Sequence, residues 1–583
     1  MIKAEIEAYV KKAVDIFLRE SALSPCESAV ADILVPEKEN FGHYSTNAAL
    51  KLAKNFKQNP MEIAENLKSQ ISKIKSGFFE KIEVMAPGFI NFWLSPKVLR
   101  ENIKEILSKK EEFGKGKKKN KTIIIEYSSP NIAKPLGIHH LSSTIIGQAL
   151  VDILRFDGYK VVSLSFPGDW GTQFGLLIAG YKKWGDKEKV KKNPIDELLN
   201  LYVKFSAAAK ENPALLDEGR NEFKKLEDGD KENLKLWRWF SKESMEDFER
   251  VYKILEMKIE NTIPESYYKS ETKSLVQDAL KRGIAEKGND GSVIIKIPGG
   301  ETPEIIQKSD GATIYTTREL AAICHRLKKW KADKILYVAA NQQTFHLDQV
   351  FRCAELLGFA KLEQLGHVRF GMMLASGGKK FATREGKLIK MEDVLSEAVT
   401  RSEEIVEKLN PKLLAKEKQK IARVVGIGAV KFFDLSQSRG SDIIFDWDKM
   451  LNLKGASAPY IQYAYARFKN VFKKVIPTGK QTKNRGSKKA NLSLLKTKAE
   501  LNLIFHLSRF GEAVEDAAKI YEPNKITDYL LRLAEKANAF YETSPVLKSE
   551  KPLMEARLAL IEATAIVIKN GLNLLGIGIL EKM

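Results

Sequence analysis

Apolar residues in the opening stretch MIKAEIEAYVKKAVDIF recur at three- and four-residue intervals with acids and lysines between them, which predicts an amphipathic helix over about 3–20. A second helical pattern covers 60–75, and KIEVMAPGFINFWLS then reads as strand, Pro-Gly turn and strand. These elements make an α/β unit. The charged run SKKEEFGKGKKKNK (108–121) predicts a solvated linker. Directly after it, TIIIEY is too short for a buried helix and rich enough in β-branched residues for a central parallel strand. Leu141, Ile145, Ile146, Ala149, Leu150, Ile153 and Leu154 follow at helical spacing, and YKVVSLSF (159–166) is a second strand. A helix-sized connection between two strands implies a right-handed crossover and a doubly wound sheet. From about 181 to 285 the pattern turns helical and highly charged, an insertion into the α/β alternation. Sheet patterns return with GSVIIKI, GATIYTTRELAAICHRLKKW and DKILYVAA; from 395 helices dominate, with KKVIPTGKQTKNRGSKK (473–489) linking two of them. No internal repeat is present.

The predicted architecture is a multidomain α/β protein: an α/β domain over 1–112, a parallel-sheet domain over 113–394 and an all-α region over 395–583. With 583 residues, 44% of them hydrophobic, the chain can bury several cores. Lys and Arg outnumber Asp and Glu by 96 to 75, and the net charge of +21 favours a polyanionic partner, nucleic acid or an acidic membrane surface. Cys26, Cys324 and Cys353 are far apart with no CxxC pair, so neither a disulfide framework nor a thiolate zinc site is expected. No apolar stretch approaches membrane-spanning length, and the acid-containing start is unlike a signal peptide. The expected compartment is the reducing cytoplasm.

The candidate chemistry begins where the first strand hands over to a helix, at NIAKPLGIHHLSST (131–144). In a doubly wound sheet, ligands collect beyond the carboxyl ends of the strands, where the next helix offers free N–H groups to phosphate. Pro135 and Gly137 suit a turn into that helix, Lys134 can neutralise phosphate, and His139 or His140 can donate hydrogen bonds to it. Glu126 ends the first strand, and an acid has little reason to end an apolar central strand unless it is used.

Several long motifs stand in order along the chain: EYSSPNIAKPLGIHHLSSTIIG, PGDWGTQFG, DGATIYTTREL, AANQQTFH and SDIIFDWDKMLNLKGASAPYIQYAYAR, then the terminal FYETSPVLKSE and ARLALIEATAIVIKNGLNLLGI. Together they resemble arginyl-tRNA synthetase, a class I aminoacyl-tRNA synthetase, over nearly the whole chain. The resemblance implies a Rossmann-like catalytic domain with a helical insertion, an N-terminal tRNA-binding domain and an all-α anticodon-binding domain. It implies ATP with Mg²⁺, L-arginine and tRNA as substrates, no tightly held metal, a monomer, and bound tRNA before arginine is activated.

Residue by residue, the resemblance assigns Glu126, Asn131, Tyr315, Glu319 and Gln343 to the arginine site, with Ser128, Asp169 and Gln173 in the same pocket. A guanidinium offers five donors and no acceptor, so acids and acceptors suit it. Glu319 also completes an S/T-x-x-E capping pattern from Thr316, and the two roles compete for one carboxylate. Lys134, His139 and His140 fall on the ATP side, with Lys380 and Thr383 of the loop GGKKFATREGK (377–387) and with Gly371 and Met372 of HVRFGMM at the adenine. The first signature departs from the family: His-x-Gly-His is replaced by Gly137, Ile138, His139 and His140. His139 either supplies the missing phosphate contact from a shifted position or crowds the adenine. The second signature, Lys-Met-Ser-Lys-Ser, reads Lys380, Phe381, Ala382 and Thr383 at its matched positions, with Lys134 as the replacement cation.

On APYIQYAYARFKNVF, Tyr460, Tyr463 and Arg467 fall at i, i+3 and i+7, one helix face able to stack bases and hold phosphate. The resemblance adds Tyr541 and Met583 to this tRNA surface, and Phe89 and Asn91 to an N-terminal one. Besides an arginine–tRNA ligase, two other readings stay open: a catalytically impaired tRNA-binding paralogue, and a nucleotide-activating enzyme with another substrate.

Overall fold

The computed structural model describes residues 2–21, 32–74, 77–300, 302–375, 389–475 and 490–583. Near the N-terminus, helices Ile2–Glu20, Ala48–Phe56 and Pro60–Ile74 accompany a four-stranded antiparallel sheet whose order is Ile33–Leu34, Tyr44–Thr46, Phe89–Leu94, Phe79–Met85. The expected helical period is what packs it: Ile6, Val10 and Ala13 all point into the core with no exposure.

The lysine-rich segment after this unit is not a free linker. Phe113 is buried, and Gly116 N–H and Lys119 N–H donate to the carbonyls of Phe156 and Gly158 at 2.9 and 3.0 Å, while Lys160 N–H donates to Lys121 O at 3.0 Å. Backbone pairing of this kind leaves the lysine side chains outside, so the charge pattern did not reveal it.

The central sheet has five parallel strands in the order Leu365–Phe370, Lys334–Ala340, Thr122–Glu126, Lys160–Ser165, Asn261–Thr262. The β-α-β unit is as expected, with helix Leu141–Phe156 as the crossover. Successive connections leave the first strand in opposite directions, so the switch point lies at its carboxyl end, beside Lys334–Ala340. Glu126, in register with Tyr337, stands at that point.

Two sheet assignments change. GSVIIKI joins a separate antiparallel sheet of Glu304–Gln307, Val293–Ile295 and Ala285–Lys287. The helical stretch expected to about 285 is interrupted after helix Lys231–Ile254 by Asn261–Thr262, which returns to the central sheet, and resumes with helix Lys269–Lys281. Two residues are too few to show a period. Beyond 390 the chain is helical as expected, from Met391–Leu409 to Lys551–Leu574, apart from Ile443–Ile444, which pairs with Met373–Leu374. No helix among the described residues is long and apolar enough to cross a membrane.

Candidate functional site

The turn leaving Glu126 is held in an unusual backbone shape. Ser128 and Ala133 have φ of 50° and 60°, the left-handed region that non-glycine residues rarely adopt, so their surroundings must over-determine them. They do. Ser128 N–H donates to Ser143 Oγ at 3.1 Å, Ser143 Oγ donates to Val338 O at 2.8 Å, and Ser165 Oγ donates to Ser128 O at 2.7 Å. From the insertion helix Lys231–Ile254, the Tyr252 hydroxyl meets Ser128 Oγ at 2.8 Å, and Ser244 Oγ accepts from Ala133 N–H at 2.9 Å. The charged insertion is thus a brace for the turn. On the other side, Ile132 N–H donates to Gly168 O at 3.1 Å and Gly168 N–H to Pro130 O at 3.0 Å. A Cβ on Gly168 would come within 2.2 Å of Asn131 Oδ1.

These strand ends surround a cleft of about 660 Å³ lined by Glu126, Ser128, Asn131, His139, His140, Gln173, Tyr315, Glu319 and Gln343, nine residues expected there, together with Phe166, Glu265, Arg318 and Phe370. Glu126 and Glu319 are 7% and 1% exposed. Helix Tyr315–Trp330 carries Tyr315 and Glu319 one turn apart, and burial pushes the Glu319 carboxyl up, opposed by Arg326 and by the Tyr315 hydroxyl. Capping is done by another residue: Ile314 N–H donates to Thr317 Oγ1 at 3.2 Å, which leaves Glu319 to the cleft. Burial pushes the Glu126 carboxyl up, to about 7, against the pull of Arg326, whose Nη1 donates to Glu126 Oε2. At the rim, Glu265 Oε2 accepts from Arg318 Nε at 2.8 Å; burial pushes its carboxyl up to about 7 as well, opposed by that guanidinium. Asp169 lies beneath the cleft surface, accepting from Ser266 N–H and Oγ at 2.8 and 2.6 Å.

At the opposite end, Gly137 N–H donates to His140 Nδ1 at 3.1 Å, which puts the His140 proton on Nε2. Burial lowers this imidazole to about 3, so it is a neutral N–H donor facing the cleft. The His139 ring lies 3.9 Å from that of His140 and is held below the usual imidazole range by burial and by Lys134. Lys134 Nζ rests 5.0 Å from the Tyr202 ring centre. The signature is tied to the segment after the basic loop, since Ile138 N–H donates to Ile389 O at 3.0 Å and Met391 N–H to Leu136 O at 2.8 Å. Phe370 reaches the cleft, while Gly371 and Met372 commit their N–H groups to Arg439 O at 2.7 Å and Asp442 Oδ1 at 2.7 Å. The loop 377–387, with Lys380 and Thr383, lies outside the described residues.

A family model described as "tRNA synthetases class I (R), catalytic domain" matches residues 102–447. The chain belongs to the arginyl-tRNA synthetase family. The remainder agrees: an arginyl-tRNA synthetase N-terminal domain matches 1–94 and a DALR anticodon-binding domain 461–583. The arginine–tRNA ligase of Fusobacterium nucleatum is 39% identical over 577 residues, 98% of this chain and 99% of that protein. That of Clostridium botulinum (strain Loch Maree) is 40% identical over 554 residues, 94% and 96% of the two chains. Among solved structures, arginyl-tRNA synthetase from Plasmodium falciparum superposes with a TM-score of 0.82 at 25% identity, covering 100% of this chain and 99% of that one. The Thermus thermophilus arginyl-tRNA synthetase shares the fold, with a TM-score of 0.79 at 23% identity over 100% of both chains.

In the helical region the fold gathers four of the seven residues assigned to tRNA. Arg467 lies over the rings of Tyr463 and Tyr541, 4.9 and 5.2 Å from their centres, and its Nη1 donates to Asn538 Oδ1 at 3.2 Å. Asn538 Nδ2 donates in turn to the Tyr460 hydroxyl at 2.9 Å. Met583 packs elsewhere, against the cluster of Val406, Ile421, Val425 and Leu580. In the N-terminal sheet Phe89 is half-buried, and Asn91, only 3% exposed, is an interior strand residue.

Sequence reasoning missed Arg326, Arg318, Glu265 and Asn538. For Arg326 a signal existed: Tyr315, Glu319, Ala322 and Arg326 fall at i, i+4, i+7 and i+11, one helix face, but the stretch reads among the sheet patterns, whereas it forms helix Tyr315–Trp330.

Proposed function

We propose that this enzyme is an arginine–tRNA ligase: it activates L-arginine with ATP and transfers it to the 3′ end of tRNA(Arg). In the first step an arginine carboxylate oxygen attacks the α-phosphorus of ATP, and pyrophosphate leaves. In the second, a hydroxyl of the terminal ribose attacks the carbonyl carbon of the adenylate, and AMP leaves.

The observation that carries this reading is the union, at one switch point, of two buried carboxylates, Glu126 and Glu319, with a neutral histidine donor, His140. The acids, with Asn131, Tyr315 and Gln343, suit a guanidinium-bearing amino acid; His140 Nε2–H, the start of helix Leu141–Phe156 and Lys134 suit the triphosphate. Ser128 and Gln173 shape the space between them. His139, exposed beside His140, takes the place of the missing first histidine as a second phosphate donor. Lys380 and Thr383 belong to the same triphosphate site by family position, and magnesium enters with the ATP phosphates. Gly371 and Met372 hold the Phe370 edge for the adenine rather than offering it N–H groups. Such a site works by positioning and by stabilising charge on phosphate oxygens. The Tyr460, Tyr463, Arg467 and Tyr541 cluster takes the anticodon loop, Phe89 and Met583 extend the tRNA surface, and the enzyme acts as a cytoplasmic monomer.

Arginine-dependent exchange between ATP and pyrophosphate, measured with and without tRNA, tests the reading. Exchange with arginine in the presence of tRNA is expected; exchange with a different amino acid only, or with none, overturns it.

A further inference from the structure

The most buried large side chain near the site is a cation that the reaction as described does not use. Arg326 has no solvent exposure. Its Nη1 donates to Glu126 Oε2 and, at 3.2 Å, to the Tyr337 hydroxyl, and its guanidinium carbon lies 4.8 Å from the centre of the Phe166 ring. Phe166 and Tyr337 both line the cleft, so this guanidinium forms the layer directly beneath the floor. Its Nε and Nη2 are buried with no hydrogen-bond partner among the described residues, as is Glu319 Oε2. An Arg left with unmatched donors is costly, and a fold that served only stability would more readily fill such a position with an apolar side chain.

Charge arithmetic supplies a reason to keep it. Glu126 and Glu319 are two buried acids in one cleft, and neighbouring buried carboxylates do not both remain ionised without a cation. The groups that face Glu126 are Arg326, Glu319 and Tyr315 from helix Tyr315–Trp330, Tyr337 from the adjacent strand, Glu265 and Tyr268 from the segment after Asn261–Thr262, and the Ser129 hydroxyl. Glu265 is matched by Arg318. With both carboxyls ionised, the state that a bound guanidinium favours, and Arg326 counted, the floor carries a net charge of −1, which one substrate guanidinium neutralises.

We propose that Arg326 is a positioning residue for amino-acid specificity: it clamps the Glu126 carboxylate in one orientation and cancels one of the two acidic charges, so that the pocket presents a single unmatched negative charge to a monocationic side chain. The proposal rests on the assignment of the cleft to arginine. It also accounts for why an acid can stand at the end of an apolar strand without a ligand present.

The test is pyrophosphate exchange by the full-length enzyme with tRNA present, comparing the parent, Arg326→Met, Arg326→Lys, Glu126→Gln and the Arg326→Met/Glu126→Gln double variant. Removing one partner of a buried charge pair is expected to raise the KM for arginine in Arg326→Met about 30-fold or more, with the KM for ATP within about twofold of the parent. Arg326→Lys restores part of the loss. The double variant binds arginine no worse than the poorer single variant, because both substitutions disable the same acceptor, the Glu126 carboxylate that Arg326 holds. As pH rises from 6 to 8.5 the KM for arginine falls in both enzymes as Glu126 ionises, and in Arg326→Met, which lacks the cation that opposes the upward shift, the fall is displaced to higher pH. Independent, multiplying losses in the double variant, or an unchanged KM and pH profile in a folded Arg326→Met, overturn the proposal. Absence of arginine exchange in the parent would instead overturn the substrate assignment. Should Arg326→Met not fold, Arg326→Lys and the charge-balanced double variant still decide between coupling and packing.

Discussion

Gly168 has no direct role in the proposed chemistry, yet its replacement by alanine is expected to damage arginine binding selectively. A Cβ there would lie 2.2 Å from Asn131 Oδ1 and 3.1 Å from Glu265 Oε1. The first contact overlaps by more than an ångström and cannot stand; the second needs a few tenths of an ångström of give. Gly168 φ is not in the left-handed region, so alanine fits the backbone, and Asn131, exposed at the cleft, can rotate away for about 0.5–1.5 kcal/mol. Folding therefore survives while the Asn131 amide leaves the site. A hydrogen bond to a charged group contributes about 1.5–3 kcal/mol, and about 1.4 kcal/mol is tenfold, so the KM for arginine should rise roughly 10- to 150-fold. Exchange assays with arginine and ATP varied separately provide the measurement, with circular dichroism confirming the fold. Asn131→Ala should match Gly168→Ala, and combining them should add nothing further. An arginine KM within about twofold of the parent at unaltered kcat, or an equal rise in the KM for ATP, would refute the steric reasoning.

Three further outcomes are expected. His139→Gly, which restores the family glycine but removes the proposed donor, should slow exchange about 10²- to 10³-fold, the usual effect of one lost transition-state donor; an unchanged or faster rate would mean that His139 obstructs the adenine instead. Arg467→Ala should raise the KM for tRNA several-fold in aminoacylation and leave that for ATP alone; equal effects on both would remove it from the tRNA surface. His506 is 3% exposed, stacks on Tyr529 at 4.6 Å and is lowered by burial to about 3, so the folded chain takes up this proton less readily than the unfolded chain, whose histidine titrates near 6.5. The stability it permits is full above pH 6.5 and is lost as pH falls below that value, by about 1.4 kcal/mol per unit. The urea midpoint of His506→Gln should accordingly drop less than that of the parent between pH 7 and pH 5.5, and parallel drops would refute the assignment.

Much of the site was legible because its residues sit at strand ends and helix starts, which the apolar period locates. TIIIEY placed Glu126 at the edge of a parallel strand, and the β-α-β order placed His140 at the helix beside it, whereas Tyr315 and Glu319 were assigned through the family resemblance alone. Local spacing also put Tyr460, Tyr463 and Arg467 together, and Tyr541, named through the resemblance, lies against Arg467 in the structure. The choice between capping and cleft for Glu319 was not local: Thr317 takes the cap, and the helix then points Glu319 inward.

Other features existed only after the chain had closed on itself. Glu126 meets Arg326 across 200 residues of sequence, and Ser128 meets Tyr252 across 124. The two-residue strand Asn261–Thr262 and the pairing of 116–121 with 156–160 leave no period in the side chains, because backbone hydrogen bonds need none. The sequence by itself determined the long periodic elements and which of their ends carry chemistry, since both follow from side-chain spacing along a helix or strand. Which buried charges balance one another was decided by tertiary structure alone, because a low-dielectric interior couples groups by distance in space and is indifferent to their separation along the chain.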